Sequence, residues 1–248
     1  MKTSLLLAAV AAVALSPCLA QAAPSAAVKA AVADKARPEA DTKRDADRKP
    51  AEVLEFAGVK PGDKVADYIP GGGYFTRIFA KAVGPKGRVF AVMNPPAPNA
   101  ANPPPVLAIA ADPAYGNITV VSTGIGSFVL PEQVDVFWTS QNYHDLFARA
   151  RGLDISKVDK LIYDAIKPGG VFIVLDHAAA AGTPIDPDDK LHRIDPAQVR
   201  KQLESSGFKF EGESTLLRNP ADDHTKTVFD PSIRGHTDQF IYKFRKPK

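Results

Sequence analysis

The sequence predicts an α/β fold with a mainly parallel sheet, helices on both faces and an antiparallel strand pair at the end. Three observations carry this expectation. Apolar runs of strand length alternate with segments of helical spacing from residue 50 onward, which implies a parallel sheet crossed over by helices. One of these strands runs through three consecutive glycines straight into a helix. The last two strands, Phe208 with Phe210 and Phe240 with Tyr242 and Phe244, alternate with polar residues, as antiparallel strands with one wet face do.

In chain order, the residues justify each element. Ala51 to Ala57 reads as a short helix with Val53, Leu54 and Phe56 on its apolar side, and Lys60-Pro61-Gly62-Asp63 as a turn. Val65 to Tyr68 is a buried strand, Tyr74 to Val83 a helix and Arg88 to Val92 a second strand. Asn94 to Pro105 holds six prolines and is therefore a rigid, non-helical excursion. Ile118 to Val121 and Val134 to Thr139 are further strands. Ser156 to Ile166 has helical apolar spacing, and Lys167-Pro168-Gly169-Gly170 leads into a fifth strand, Val171 to Leu175. Asp195 before Pro196 supplies an N-cap and first-turn proline, and Gly207 a helix stop. A long loop, Leu217 to Thr237, separates the last two strands.

The two ends divide the chain further. Lys2, the apolar run Leu5 to Leu15, Pro17 and the small-x-small site Ala20-Gln21-Ala22 are ordered as in a cleavable secretory signal, so residues 1–22 are expected to direct export to the periplasm or the medium. No later run is long enough to span a bilayer. The single cysteine, Cys18, lies within that signal. About 225 residues would remain, free of disulfides and long enough for one sizeable domain. Residues 23–49 form a charged N-terminal arm with almost no large apolar side chain, expected to be mobile or to lie as a helix on the domain of residues 50–248. Its dense stretch Arg44 to Pro50 reads as a solvated face, or as a lid bringing Arg44 or Arg48 over a pocket. The formal charge of +3, with no basic stripe interleaved with aromatics, gives no ground for nucleic-acid binding and leaves a small-molecule substrate as the expected partner. Oligomeric state is not legible.

Val65-Ala66-Asp67-Tyr68-Ile69-Pro70-Gly71-Gly72-Gly73-Tyr74-Phe75-Thr76 is the most informative segment. Glycines at a strand–helix junction allow a sharp turn and close approach of a ligand to bare main chain. A phosphate-cradling loop needs Lys and Ser/Thr where Tyr74 and Phe75 stand, and a dinucleotide loop needs a glycine where Thr76 stands. The segment resembles the glycine motif of class I S-adenosylmethionine-dependent methyltransferases. Gly87 to Val92 resembles their second strand, and Lys167 to Asp176 resembles the entry to their fifth. Together with Tyr143-His144-Asp145-Leu146, Leu191 to Pro196 and the Lys243 to Pro247 ending, the chain is similar to a group of secreted bacterial proteins described as predicted methyltransferases.

That resemblance implies a Rossmann-like methyltransferase sheet, S-adenosyl-L-methionine as cofactor, and methyl transfer to a small-molecule or envelope acceptor. The alternative is a ligand-binding protein on the same scaffold without turnover, since fold alone does not give function. It places the cofactor against Asp67, Gly71, Gly72, Gly73, Tyr74 and Phe75, with Thr139, Ser140 and Gln141 from the fourth strand. Two departures stand out: Ile69 replaces the first glycine, and Met93 replaces the acidic residue that holds the ribose, leaving Asn94 as its neutral substitute. Tyr143, His144 and Asp145 after the fourth strand, His177 after the fifth, and His192 are the candidate catalytic residues. His144 or His177 would take a proton, with Asp145 or Asp176 orienting it. The same groups suit a divalent metal, but no tight spacing such as His-x-x-x-His occurs, so no metal ligand is assigned.

Overall fold

A computed structural model describes residues 23–248. The expected signal, residues 1–22, lies outside the described residues. The chain runs α1 (Ala26–Val32), α2 (Glu39–Thr42), α3 (Asp45–Arg48), α4 (Pro50–Ala57), β1 (Lys64–Tyr68), α5 (Tyr74–Val83), β2 (Arg88–Val92), α6 (Pro105–Ala111), β3 (Ile118–Val121), β4 (Val134–Ser140), α7 (Ile155–Ala165), β5 (Ile166–His177), α8 (Pro196–Ser205), β6 (Lys209–Ser214) and β7 (Gln239–Arg245). The seven strands form one sheet in the order β3-β2-β1-β4-β5-β7-β6. The first five are parallel, and β7 inserts antiparallel between β5 and β6. The order reverses at β1, so the C-terminal edge there opens a crevice where ligands of such sheets bind.

Alternating side chains of the buried strands feed two cores. Val65, Val89, Val136, Trp138 and Ile173 pack beneath α1, α4, α5 and α6. Ala66, Tyr68, Phe137, Phe172 and Val174 pack beneath α7 and α8. β5 begins earlier than the apolar run suggests, because Lys167 to Gly170 already continue the strand. The rigid excursion ends in a helix at its last proline: Pro105 opens α6, where its missing N–H costs nothing.

The N-terminal arm packs against the domain through a few side chains, while most of its residues, Arg44, Asp47 and Lys49 of the dense charge run among them, stay exposed. Val28 and Ala31, three apart on α1, are both buried in the first core. Arg37, its side chain wholly enclosed, pairs with Asp45 at 2.7 Å. Arg77 on α5 reaches Asp41 at 2.9 Å. Ion pairing thus draws into contact a segment too polar to be held by apolar burial alone. Arg44, Asp47 and Arg48 of its dense charge run line a cleft together with Gln141 and His177.

Candidate functional site

β1 ends in Asp67, and the turn after it makes the crevice floor. Ile69 takes the position of the missing glycine and adopts its left-handed backbone, with φ of 58°. For a β-branched residue this is strained. It is pinned on both sides, by its N–H to the Val92 carbonyl and by Asn142 Nδ2 donating to its own carbonyl. Gly71 and Gly72 lie bare: a Cβ built on either meets nothing within 4 Å. Gly73 differs, because a Cβ there would stand 2.2 Å from Ile109 Cδ1. Two glycines therefore leave room for a ligand, and the third lets α6 approach.

One cleft borders this bare main chain at Gly71, and a second lies over neighbouring strand ends. The smaller, about 310 Å³, is lined by Ile69, Pro70, Gly71, Met93, Asn94 and the proline-rich excursion. It is at the lower end of small-molecule sites in size. Ile69 and Met93 form its walls and do not fill it. The larger, about 510 Å³, lies over the ends of β4, β5 and β7 and is lined by Arg44, Arg48, Gln141, His177, Phe229 and Arg234 among others.

The predicted residues separate by role. Asp67 is buried and accepts from the Thr76 hydroxyl at 2.6 Å. Burial pushes its carboxyl up to about 6, against the pull of Thr76 and Arg48. Ser140 accepts from Arg48 at 3.1 Å. That guanidinium lies 4.8 Å from the centre of the Phe75 ring, and burial together with nearby Arg44 lowers it to about 10. Gln141 bonds Gln239 and belongs to the larger cleft. Asn94 lines the smaller cleft, but its carbonyl oxygen is committed to the Ile125 N–H at 2.9 Å.

Four expected contacts are corrected. Tyr74 is buried with its hydroxyl on Asp45, and Phe75 packs edge-on against Trp138, so both secure α5 and line neither cleft. Thr139 is in register with Tyr68 and Val174, which puts it inside the second core. Tyr143 turns into that core as well: it is fully buried and donates to Asp159 at 2.9 Å, which removes it from the catalytic set.

The histidines do converge. His144 lies 6.0 Å from His177 and 5.5 Å from His192, ring centre to ring centre. His144 Nδ1 is 2.7 Å from Asp176 Oδ1, and Asp176 also accepts the backbone N–H groups of His144 and His177. Burial opposes charge on His144, but the Asp176 carboxylate prevails and holds the imidazole up at about 9. With Nδ1 committed to that carboxylate, Nε2 is the nitrogen left to face the cluster. His177 faces the larger cleft with Nδ1 2.7 Å from the Thr237 hydroxyl, and burial lowers it to about 4, so it is neutral at pH 7. Asp145 is held by Arg151 at 2.8 Å, and His192 Nδ1 lies 2.9 Å from Asp189. Asp189, pushed up to about 6 by burial with Asp145 beside it, was not among the sequence candidates. Arg48 and Arg44 were foreseen only as lid residues.

No family model matches the chain, and no curated protein matches it by sequence. Solved structures do match. The [4+2]-cyclase SpnF is 17% identical over 82% of each chain, with a TM-score of 0.60. A methyltransferase dependent on S-adenosylmethionine from Aquifex aeolicus is 17% identical over 79% of this chain and 88% of its own, with a TM-score of 0.56. Another from Mesorhizobium loti is 17% identical over 78% and 95%, with a TM-score of 0.51. Sheet order, glycine junction and these similarities agree: the described residues adopt the fold of the class I S-adenosylmethionine-dependent methyltransferases.

Proposed function

We propose that the protein transfers a methyl group from S-adenosylmethionine to an anionic small molecule or envelope component in an exported compartment. The observation that carries this reading is the bare main chain at Gly71 and Gly72, open between the tip of β1 and the start of α5. The residues fit the cofactor: the smaller cleft would take its nucleoside, and Asp67 on β1 with Ser140 on the adjacent β4, which Arg48 contacts, would serve its charged amino-acid end. Bound there, S-adenosylmethionine would supply an electrophilic methyl group.

The chain's own side chains would align the acceptor and exclude water. The larger cleft presents Arg44, Arg48 and Arg234 against the single carboxylate of Asp47, which favours an acceptor carrying a carboxylate or phosphate. Neutral His177 at its floor can accept a proton, though a base this weak suits positioning better than abstraction. Export rests on the order of residues 1–22.

One observation favours the alternative of binding without turnover: no carboxylate follows β2, and the Asn94 carbonyl oxygen serves the loop. Calorimetric titration of the purified protein with S-adenosylmethionine and S-adenosylhomocysteine separates the cases. Micromolar binding to both is expected, with Gly72→Val weakening it at least tenfold, about 1.4 kcal/mol, at unchanged thermal unfolding. No binding of either ligand at high protein concentration would leave only the binding-protein reading, for a different ligand.

A further inference from the structure

We propose that His144, Asp145, Asp189 and His192 form a four-ligand site for a divalent first-row transition cation, with Zn(II) the best match. Their donor atoms all lie within 4.8 Å of one another. His144 Nε2 is 3.4 Å from Asp145 Oδ1, and His192 Nδ1 is 3.5 Å from the same oxygen. Tetrahedral donors at zinc bond lengths of about 2.05 Å stand about 3.3 Å apart, so these two separations are already those of a coordination shell. The third, 2.9 Å between His192 Nδ1 and Asp189 Oδ2, is a hydrogen-bond distance that opens by a few tenths of an ångström when an ion replaces the proton.

Second partners already orient two of the ligands. Asp176 holds Nδ1 of His144, whose side chain is only 3% exposed, and thereby directs Nε2 at the cluster. Arg151 holds Oδ2 of Asp145 and leaves Oδ1 facing both histidines. A carboxylate behind a ligating imidazole is the arrangement that fixes tautomer and ring plane in metal sites. Two imidazoles with two carboxylates suit zinc and its neighbours, whereas calcium and magnesium require shells made wholly or mostly of oxygen.

The site joins two segments far apart in sequence. His144 and Asp145 follow β4, while Asp189 and His192 belong to the irregular stretch between β5 and α8, whose link to the sheet is the bridge from Ala178 to Ile194. Four protein ligands make a closed, structural site. The His192 ring packs edge-on against Phe229 at 4.8 Å, so the cation would fasten one wall of the larger cleft. Nothing in this inference depends on methyl transfer.

Titration of the chelator-treated full chain with Co(II), followed by displacement with Zn(II), tests it. One equivalent of Co(II) should bind with the intense visible absorption of a four-coordinate ion, and Zn(II) should abolish that absorption while raising the Tm. His192→Ala and Asp189→Asn lie on a partly exposed segment, and each should weaken binding at least tenfold with the metal-free Tm and circular dichroism unchanged. If His192→Ala fails to fold, Asp189→Asn decides. No saturable binding, a six-coordinate spectrum, or wild-type affinity in the folded variants would overturn the site.

Discussion

At the junction of β1 and α5 the chain offers a ligand mainly main chain and apolar walls: two bare glycines, a strained Ile69 and a cleft lined by Met93, prolines, Val106 and Ile125, with Asn94 and Arg151 as its polar side chains. At the ends of β4 and β5, on the same sheet edge, polar side chains bind one another. Asp176 alone gathers a ring nitrogen and two backbone N–H groups. The first region is shaped by what is missing at Cβ, and the second by hydrogen bonds and ion pairs among residues distant in sequence. A ligand can enter the first with little displaced. In the second, each new contact must replace a bond already made, so it is suited to rigid positioning rather than to a mobile base.

Asp67 tests that contrast most strongly, because it is the one buried carboxyl on the glycine side. Burial raises it from the ordinary 3.8 to about 6. The folded state therefore binds this proton more tightly than the unfolded chain does. Its stabilising contribution is complete below pH 4 and is lost as pH rises through 6. Relative to wild type, Asp67→Asn should gain stability between pH 4 and 7, on the order of 2–3 kcal/mol, since a tenfold change in proton affinity is about 1.4 kcal/mol. Denaturant unfolding of both proteins across that range measures the difference. A flat difference would mean that Arg48 keeps Asp67 ionised, making the two regions alike.

Tyr143 tests the other side at a smaller scale. Its hydroxyl donates to Asp159, which Gln202 and Ser206 also serve. Tyr143→Phe should cost about 1–2 kcal/mol of stability, the loss of one buried hydrogen bond to the Asp159 carboxyl. Ligand affinity should stay within about twofold of wild type. A tenfold fall in affinity at unchanged stability would return Tyr143 to the site.

The same division explains what the sequence disclosed. The strand, glycines and helix of the β1–α5 junction are contiguous, so backbone constraints print them as a local pattern, and the fold followed from such patterns. The histidine side was legible as a set of candidate residues, but not in its pairings. His144 meets Asp176 across 32 positions, and Asp189 entered the cluster unforeseen because acidic loop residues look alike until a fold selects one. Tyr143 was misplaced because it stands between site residues in sequence while its side chain points to the opposite face. In the arm, too, the deciding contact is one that composition does not print: Arg37 is buried through its pairing with Asp45.

Ile69 offers the smallest effect and the finest distinction. Its φ of 58° should store about 1–2 kcal/mol of strain in a side chain suited to extended backbone. Half-buried against the second core, it also contributes apolar burial. Ile69→Gly loses that burial and loosens the unfolded chain, yet releases the strain, so the net change in unfolding free energy should stay within about 1 kcal/mol. Chemical denaturation measures it directly. A loss of about 3 kcal/mol, the cost of deleting an unstrained buried isoleucine, would show that the turn accepts this side chain without strain. Bare main chain, and not stored tension, would then be the only thing distinguishing the glycine side.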